Sequence, residues 1–383
     1  ATAGISAVTA GTSNFVAGVN AGNSITSGGN YNTVVGDEAG TAITTGTYNT
    51  AMGHTALQDN TTGQRNSSFG RSSMRDNTTG SYNTALGMST LVINTTGSNN
   101  TAVGYEALLL NTTASNNTAV GDSALTANTA GADNTAVGSG ALDSNVDGHN
   151  NTAVGRDTLG ANTTGDSNTA SGKQALLSNT TGNYNTAKGY RALRYNTTAS
   201  NNTAVGSDAL NANTTGELNS AVGTSALQTN TTGSQNTAVG RQSLLDNTTG
   251  DFNTGLGSGA LANNTTADAN TAVGKSALFY NTTGANNTAS GFEALLNNTE
   301  GAYNEAVGFK SLRANTTGAQ NVAVGAAALF SNTTASNNVA VGHDSLKANT
   351  TGSQNAAMGY QALTANTTGS DNIAVGMFAL GSN

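Results

Sequence analysis

Cysteine is absent from this chain, so no disulfide framework holds it together. Charge is scarce. Only 9% of residues are Asp, Glu, Lys or Arg, the net charge is −8, and Lys and Arg never cluster into a run. Such a surface does not attract nucleic acid or anionic lipid, which excludes both as expected partners. There is no apolar run of about 20 residues, so no segment reads as a membrane-spanning helix. No signal peptide is evident, and one would have been removed before Ala1. What remains is dominated by Asn, Thr, Gly and Ala. A non-repetitive chain of 383 residues would be expected to form two or three domains, but the composition directs attention to internal repeats first.

The repeat is constant in length. Glycine recurs from Gly36 to Gly376 in 20 equal steps with no insertion or deletion, which defines a 17-residue unit. Disordered low-complexity sequence has no reason to keep such spacing. A constant length implies that each unit is one coil stacked on its neighbours. The stretch from Asn100 to Asn116, NTAVGYEALLLNTTASN, serves as the reference, and equivalent positions of successive units form a column. The Asn100 column is Asn in all 21 units. The Ala102 column stays small, departing only to Val34, Ser68 and Gly255. The Leu108 column is Leu in 19 of 21 units, with Gly40 and Met74 as exceptions, and the Asn111 column is Asn in all but one, Ile43. Other columns accept charge and are expected to face solvent, including those of Tyr105, Glu106, Leu109 and Leu110.

These columns predict a coil. Thr101-Ala102-Val103 reads as a short strand, in which Ala102 faces a cramped interior while Thr101 and Val103 face outward. An outward Val103 column makes an apolar stripe suited to lateral or trimeric association. Leu108 and its equivalents read as a buried spine. Replacing Leu210 with Ala is expected to cost about 2–5 kcal/mol. The Gly104 column reads as a site of positive φ or close backbone approach. The Gly97 column accepts Ala114, Ala199, Ala267 and Ala335, so it reads as a place with little room rather than a left-handed turn. The spacing of Gly104, Ala107, Leu108 and Asn111 admits one helical turn per coil. The expected fold class is therefore all-β: a parallel β-solenoid, or β-roll, of about 21 coils over residues 32–383, preceded by an irregular segment over 1–31. Parallel strands stack about 4.8 Å apart, which predicts a rod of roughly 100 Å.

Asn-Thr-Thr is also an acceptor sequence for N-linked glycans. It marks Asn60, Asn77, Asn94, Asn111, Asn162, Asn179, Asn196, Asn213, Asn230, Asn247, Asn264, Asn281, Asn315, Asn332, Asn349 and Asn366. The plainer reading is a ladder of stacked amides. At Asn128, Asn145 and Asn298 the acceptor sequence is broken, yet the Asn persists. An amide buried in a ladder cannot carry a sugar.

The NTAVG-x-x-AL cadence resembles the head repeats of trimeric autotransporter adhesins and the repeat arrays of tail-fibre-like proteins. The resemblance covers residues 32–383 and implies a β-roll used in adhesion or as a fibre shaft. The adhesin head coil is shorter than the unit found in this chain, so handedness and trimeric state are not carried over.

The step from Gly18 to Gly36 is one residue longer than the period, so the start breaks the register and reads as a cap or an inter-subunit segment. The last residue, Asn383, falls in the Asn111 column, partway through a coil. These ends suggest head-to-tail stacking, with residues 1–13 sealing the last coil of the next copy. His54, His149 and His343 lie in distant coils without a repeated partner, and no calcium loop occurs. No catalytic residues, metal ligands or cofactor are expected, and the chain does not read as an enzyme. Three function classes remain: a structural subunit of an extracellular, cell-surface or virion-surface fibre; a shaft or receptor-binding part of a tail fibre or adhesin; and an ice-binding protein using its threonine columns, against which adjacent threonines of a strand point to opposite faces and the Thr113 column is interrupted at Ala130, Asp147 and Glu300. Tyr31, Tyr48, Tyr82, Tyr184 and Tyr303 offer weak contacts to surface glycans, with rim packing as the plainer account.

Overall fold

The computed structural model describes residues 5–6 and 9–381. Asn383, and much of the segment before residue 9, lie outside the described residues. Two compact units are present, residues 1–188 and 189–383. Each is a parallel β-solenoid, and no helix occurs among the described residues.

In the first unit a two-residue strand, β1 (Ile5–Ser6), runs antiparallel to β2 (Phe15–Ala17). β2 pairs in parallel with β3 (Thr33–Val35). From β3 a three-residue strand recurs once in every repeat to β12 (Thr186–Lys188), each pairing in parallel with the next. In the second unit the same strand recurs from β13 (Thr203–Val205) to β23 (Ile373–Val375). The two units together hold 21 strands in the 17-residue register.

Register is constant because one face of each strand is closed to everything but a small residue. In β7 (Thr101–Val103) the middle residue pairs with Ala85 below and Ala119 above, and it is fully buried. A slip by one residue would drive Thr and Val inward. The outward reading of the Thr101 and Val103 columns holds: Leu86 is 51% exposed and Val154 41%. The Leu108 column is buried throughout both units up to Leu363, including Met74 and Leu210 at 0%.

The helical turn expected between Gly104 and Asn111 does not form. Glu106 and Leu108 both have left-handed φ, 54° and 53°, and the same alternation recurs in coil after coil. A left-handed leucine costs about 1–2 kcal/mol. Burying its side chain recovers about 1.5–3 kcal/mol. Two short-range bonds, Leu109 N–H to the Glu106 carbonyl and Asn111 N–H to the Leu108 carbonyl, tighten the turn, while Leu108 N–H donates to the Ala124 carbonyl of the next coil. Backbone bonding thus runs between coils rather than along a helix. A partial signal was present in the Glu106 column, which holds Gly140 and Gly259 as well as Asp157, Asp208 and Asp344. Asn and Asp are among the residues that most readily accept left-handed backbone.

Gly104 needs glycine twice over. Its φ is 130°, and an added Cβ would overlap the Gly121 carbonyl oxygen of the next coil. The Gly97 column has no left-handed φ, as expected. A Cβ there crowds the next coil's carbonyl, yet Ala114 and Ala199 are accommodated and buried.

Two coils near the start solve the core differently. Gly40 stands in the Leu108 column and Ile43 in the Asn111 column, and Gly22 and Ile25 hold the matching places of the irregular coil before them, 18 residues earlier. The Ile43 side chain reaches into the space a leucine at position 40 would fill, and Val34 closes on it from the Ala102 column. Ile25 and Val16 do the same around Gly22. Valine, glycine and isoleucine replace alanine, leucine and asparagine, keeping the core full.

Candidate functional site

Three side-chain ladders run from coil to coil. In the first, the Asn100 backbone N–H donates to Asn83 Oδ1 at 2.9 Å, and Asn100 Nδ2 donates to the Ala114 carbonyl at 2.9 Å. Its own Oδ1 accepts from Asn117 N–H. In the second, Asn111 Nδ2 donates to Asn94 Oδ1 at 2.8 Å and to the same Ala114 carbonyl at 3.0 Å. One carbonyl with two lone pairs therefore serves both asparagines. The third ladder is on the rim. The Ser115 column accepts the backbone N–H of the coil before it, as in Ser98 N–H to Ser115 Oγ at 3.0 Å. His149 belongs to it: its Nδ1 accepts from the Ala132 backbone N–H, and the His149 backbone N–H donates to Asp166 Oδ1. This histidine is a rim acceptor that single-coil reasoning could not find.

All sixteen glycan-acceptor asparagines sit in the second ladder and are buried, Asn366 being the most open at 4%. Asn128, Asn145 and Asn298 make the same bonds although their acceptor sequence is broken. A sugar on any of these amides would have to displace the ladder.

The two threonines after Asn111 have separate fates. Thr112 Oγ1 donates to the Thr129 carbonyl of the next coil at 3.1 Å, a bond repeated along both units. Thr113 is exposed. The Thr101 column, on the strand, is half-buried or exposed, and its hydroxyls make no hydrogen bond to the protein among the described residues.

The tyrosine positions divide. Tyr31 and Tyr48 stack with centroids 4.8 Å apart, and the Arg65 guanidinium lies 5.7 Å from the Tyr48 ring centre and 5.3 Å from that of Tyr82. Arg65 also donates to the Tyr82 hydroxyl at 2.6 Å. Stacking occupies the ring faces a sugar would use. Tyr184 and Tyr303 are 65% and 63% exposed.

Among the described residues the histidines lie apart from one another. His54 is exposed, and His343 lies 3.3 Å from Asp344 and stacks on Tyr360. Among the described residues no three His, Asp or Glu side chains are placed to hold a metal ion. Glu293 pairs with Arg313 at 2.8 Å, a partly exposed bridge of small energetic weight. Asp143 lines a notch of about 240 Å³ with Asp157, between Gly140 and Gly160. Burial, with a smaller contribution from Asp157, pushes its carboxyl above the usual range, against bonds from the Asp143 and Ser144 backbone. A second cavity of about 430 Å³, lined by Val16, Ala21, Gly22 and Ile25, lies at the first coil. No helix of the described residues is long and apolar enough to cross a membrane.

These features define a parallel β-solenoid whose repeating residues serve the stacking of coils. No known protein family, curated protein or solved structure matches the chain.

Proposed function

We propose that the chain is a structural subunit of an extracellular fibre, in which copies join head to tail by stacking coil on coil. The observation that carries this reading is the sameness of the coil interface. The invariant Asn100 and Gly104 columns and the nearly invariant Leu108 and Asn111 columns are spent on the next coil or on the core, and none is left over for chemistry. Among the regular repeats, the surface one coil offers upward therefore complements the surface another offers downward. A contact of that kind is heterologous and extends without closing. Electron microscopy and sedimentation of the purified protein test it: filaments that lengthen with concentration are expected, and a monodisperse single chain at every concentration overturns it. Deleting residues 1–13 is expected to abolish lengthening.

A second reading, a shaft or receptor-binding part of a tail fibre or trimeric adhesin, is favoured by the exposed Val103 column, which offers a lateral contact between chains. Cross-linking that traps three chains, lost on Val137→Lys, would favour it. The surface setting rests on the resemblance of the repeats. The exposed rings of Tyr184 and Tyr303 are where a surface glycan would bind. The acidic balance of the chain argues against nucleic acid.

A further inference from the structure

We propose that the strand face of the first unit, formed by the Thr101 and Val103 columns, binds ice. The parallel register aligns the outward residues of β3 to β12 in two straight columns. One is Thr or Ser in every strand from Thr33 to Thr186. The other is Val35, Met52, Phe69, Leu86, then Val in four successive strands to Val154, before Ser171 and Lys188. Neighbouring strands place equivalent hydroxyls about 4.8 Å apart, and the two columns are about 6.6 Å apart along a strand. The face is thus a two-dimensional array of hydroxyls and methyls.

The state of those hydroxyls points to water as the partner. The Thr112 column spends its hydroxyls on backbone carbonyls of the next coil. The Thr101 column makes no such bond among the described residues, so each hydroxyl is available to a water, while the aliphatic row beside it supports a cage of waters without competing for them. The array is already held by the solenoid, so ordering it on binding costs little entropy. Charge agrees: of 20 outward positions in β3 to β12, Lys188 alone is ionised, in a chain of net charge −8. A neutral face fits a neutral lattice. A second copy seated on it would bury the hydroxyl column, which is costly unless every hydroxyl finds a partner. A crystalline polysaccharide would call for rows of aromatic rings, and Phe69 is the single aromatic side chain of the twenty.

This inference stands apart from the fibre reading, which microscopy tests without ice. The experiment is ice-crystal shaping and thermal hysteresis with the full chain, its Thr118→Tyr variant at the middle of the face, and its Thr113→Tyr variant on the other exposed threonine column. Circular dichroism checks that all three are folded. The native chain is expected to facet ice and hold back its growth. Thr118→Tyr is expected to lose most of that effect, several-fold or more, and Thr113→Tyr to retain it. Ice that grows as in buffer overturns the proposal. So does equal loss in both variants, or a Thr118→Tyr change that abolishes chain-to-chain association or polysaccharide binding while ice shaping persists.

Discussion

The two units share their inward columns and differ on the strand face. In the first, the outward column beside the aliphatic row is Thr or Ser without a break. In the second it holds through Thr288, then turns to Glu305, Val322, Val339, Ala356 and Ile373. Over the same coils the inward Ala306, Ala323, Ala340 and Ala357 do not change at all, and each is fully buried. Packing and amide bonding confine inward change to small or compensated substitutions, whereas an outward position is answerable only to solvent or to whatever the face touches. The unbroken hydroxyl column of the first unit is therefore a property the fold did not require.

That contrast can be tested from its strongest side. Gly104→Ala in the first unit and Gly325→Ala in the second are expected to be the most damaging changes. Each puts a Cβ on a neighbouring carbonyl at a φ of 130° or 135°. A loss of more than about 4 kcal/mol, or failure to fold, is expected in chemical denaturation. A mild effect in either unit would break the claim that the two share one backbone. Next, Leu108→Ala and Leu210→Ala should each cost about 2–5 kcal/mol. Because a coil touches only its neighbours, hydrogen exchange should rise locally around the altered coil rather than throughout.

Asn111→Ala removes the Oδ1 that Asn128 Nδ2 uses, and strips one donor from the Ala114 carbonyl. Each buried group left unpaired costs about 1–3 kcal/mol. The same change at Asn315 should match it, and a neutral result would show that the ladder contributes no stability.

Gly40→Leu should destabilise on its own because Ile43 already fills that space. Adding Ile43→Asn should recover part of the loss, with a coupling of about 0.5–3 kcal/mol in a double-mutant cycle. Additive effects would mean that the two positions do not share the core volume. The smallest effect is reserved for the outward columns. Thr101→Val and Val322→Thr, which exchange the character of the two faces, should each move stability by no more than about 0.5 kcal/mol in thermal denaturation. A larger shift would show that the outward face is held by the fold after all.

The sequence by itself determined the coil length, the inward place of the Ala102 and Leu108 columns and the amide ladders. Each of these is imposed on nearly every repeat, so the repeats act as their own alignment. A column that never varies while its neighbours do must be buried or bonded in every coil. The tertiary structure alone decided the rest. Spacing along one coil cannot distinguish a helical turn from alternating right- and left-handed residues, because both bring Ala107, Leu108 and Asn111 to one side. What separates them is the partner of each N–H, and for Leu108 that partner is Ala124 in the next coil. The separate fates of Thr112 and Thr113, the rim bond of His149, and the exchange among Val34, Gly40 and Ile43 have the same origin. In each case the deciding atom belongs to a neighbouring coil or a distant column, and its position is set only once the coils are stacked.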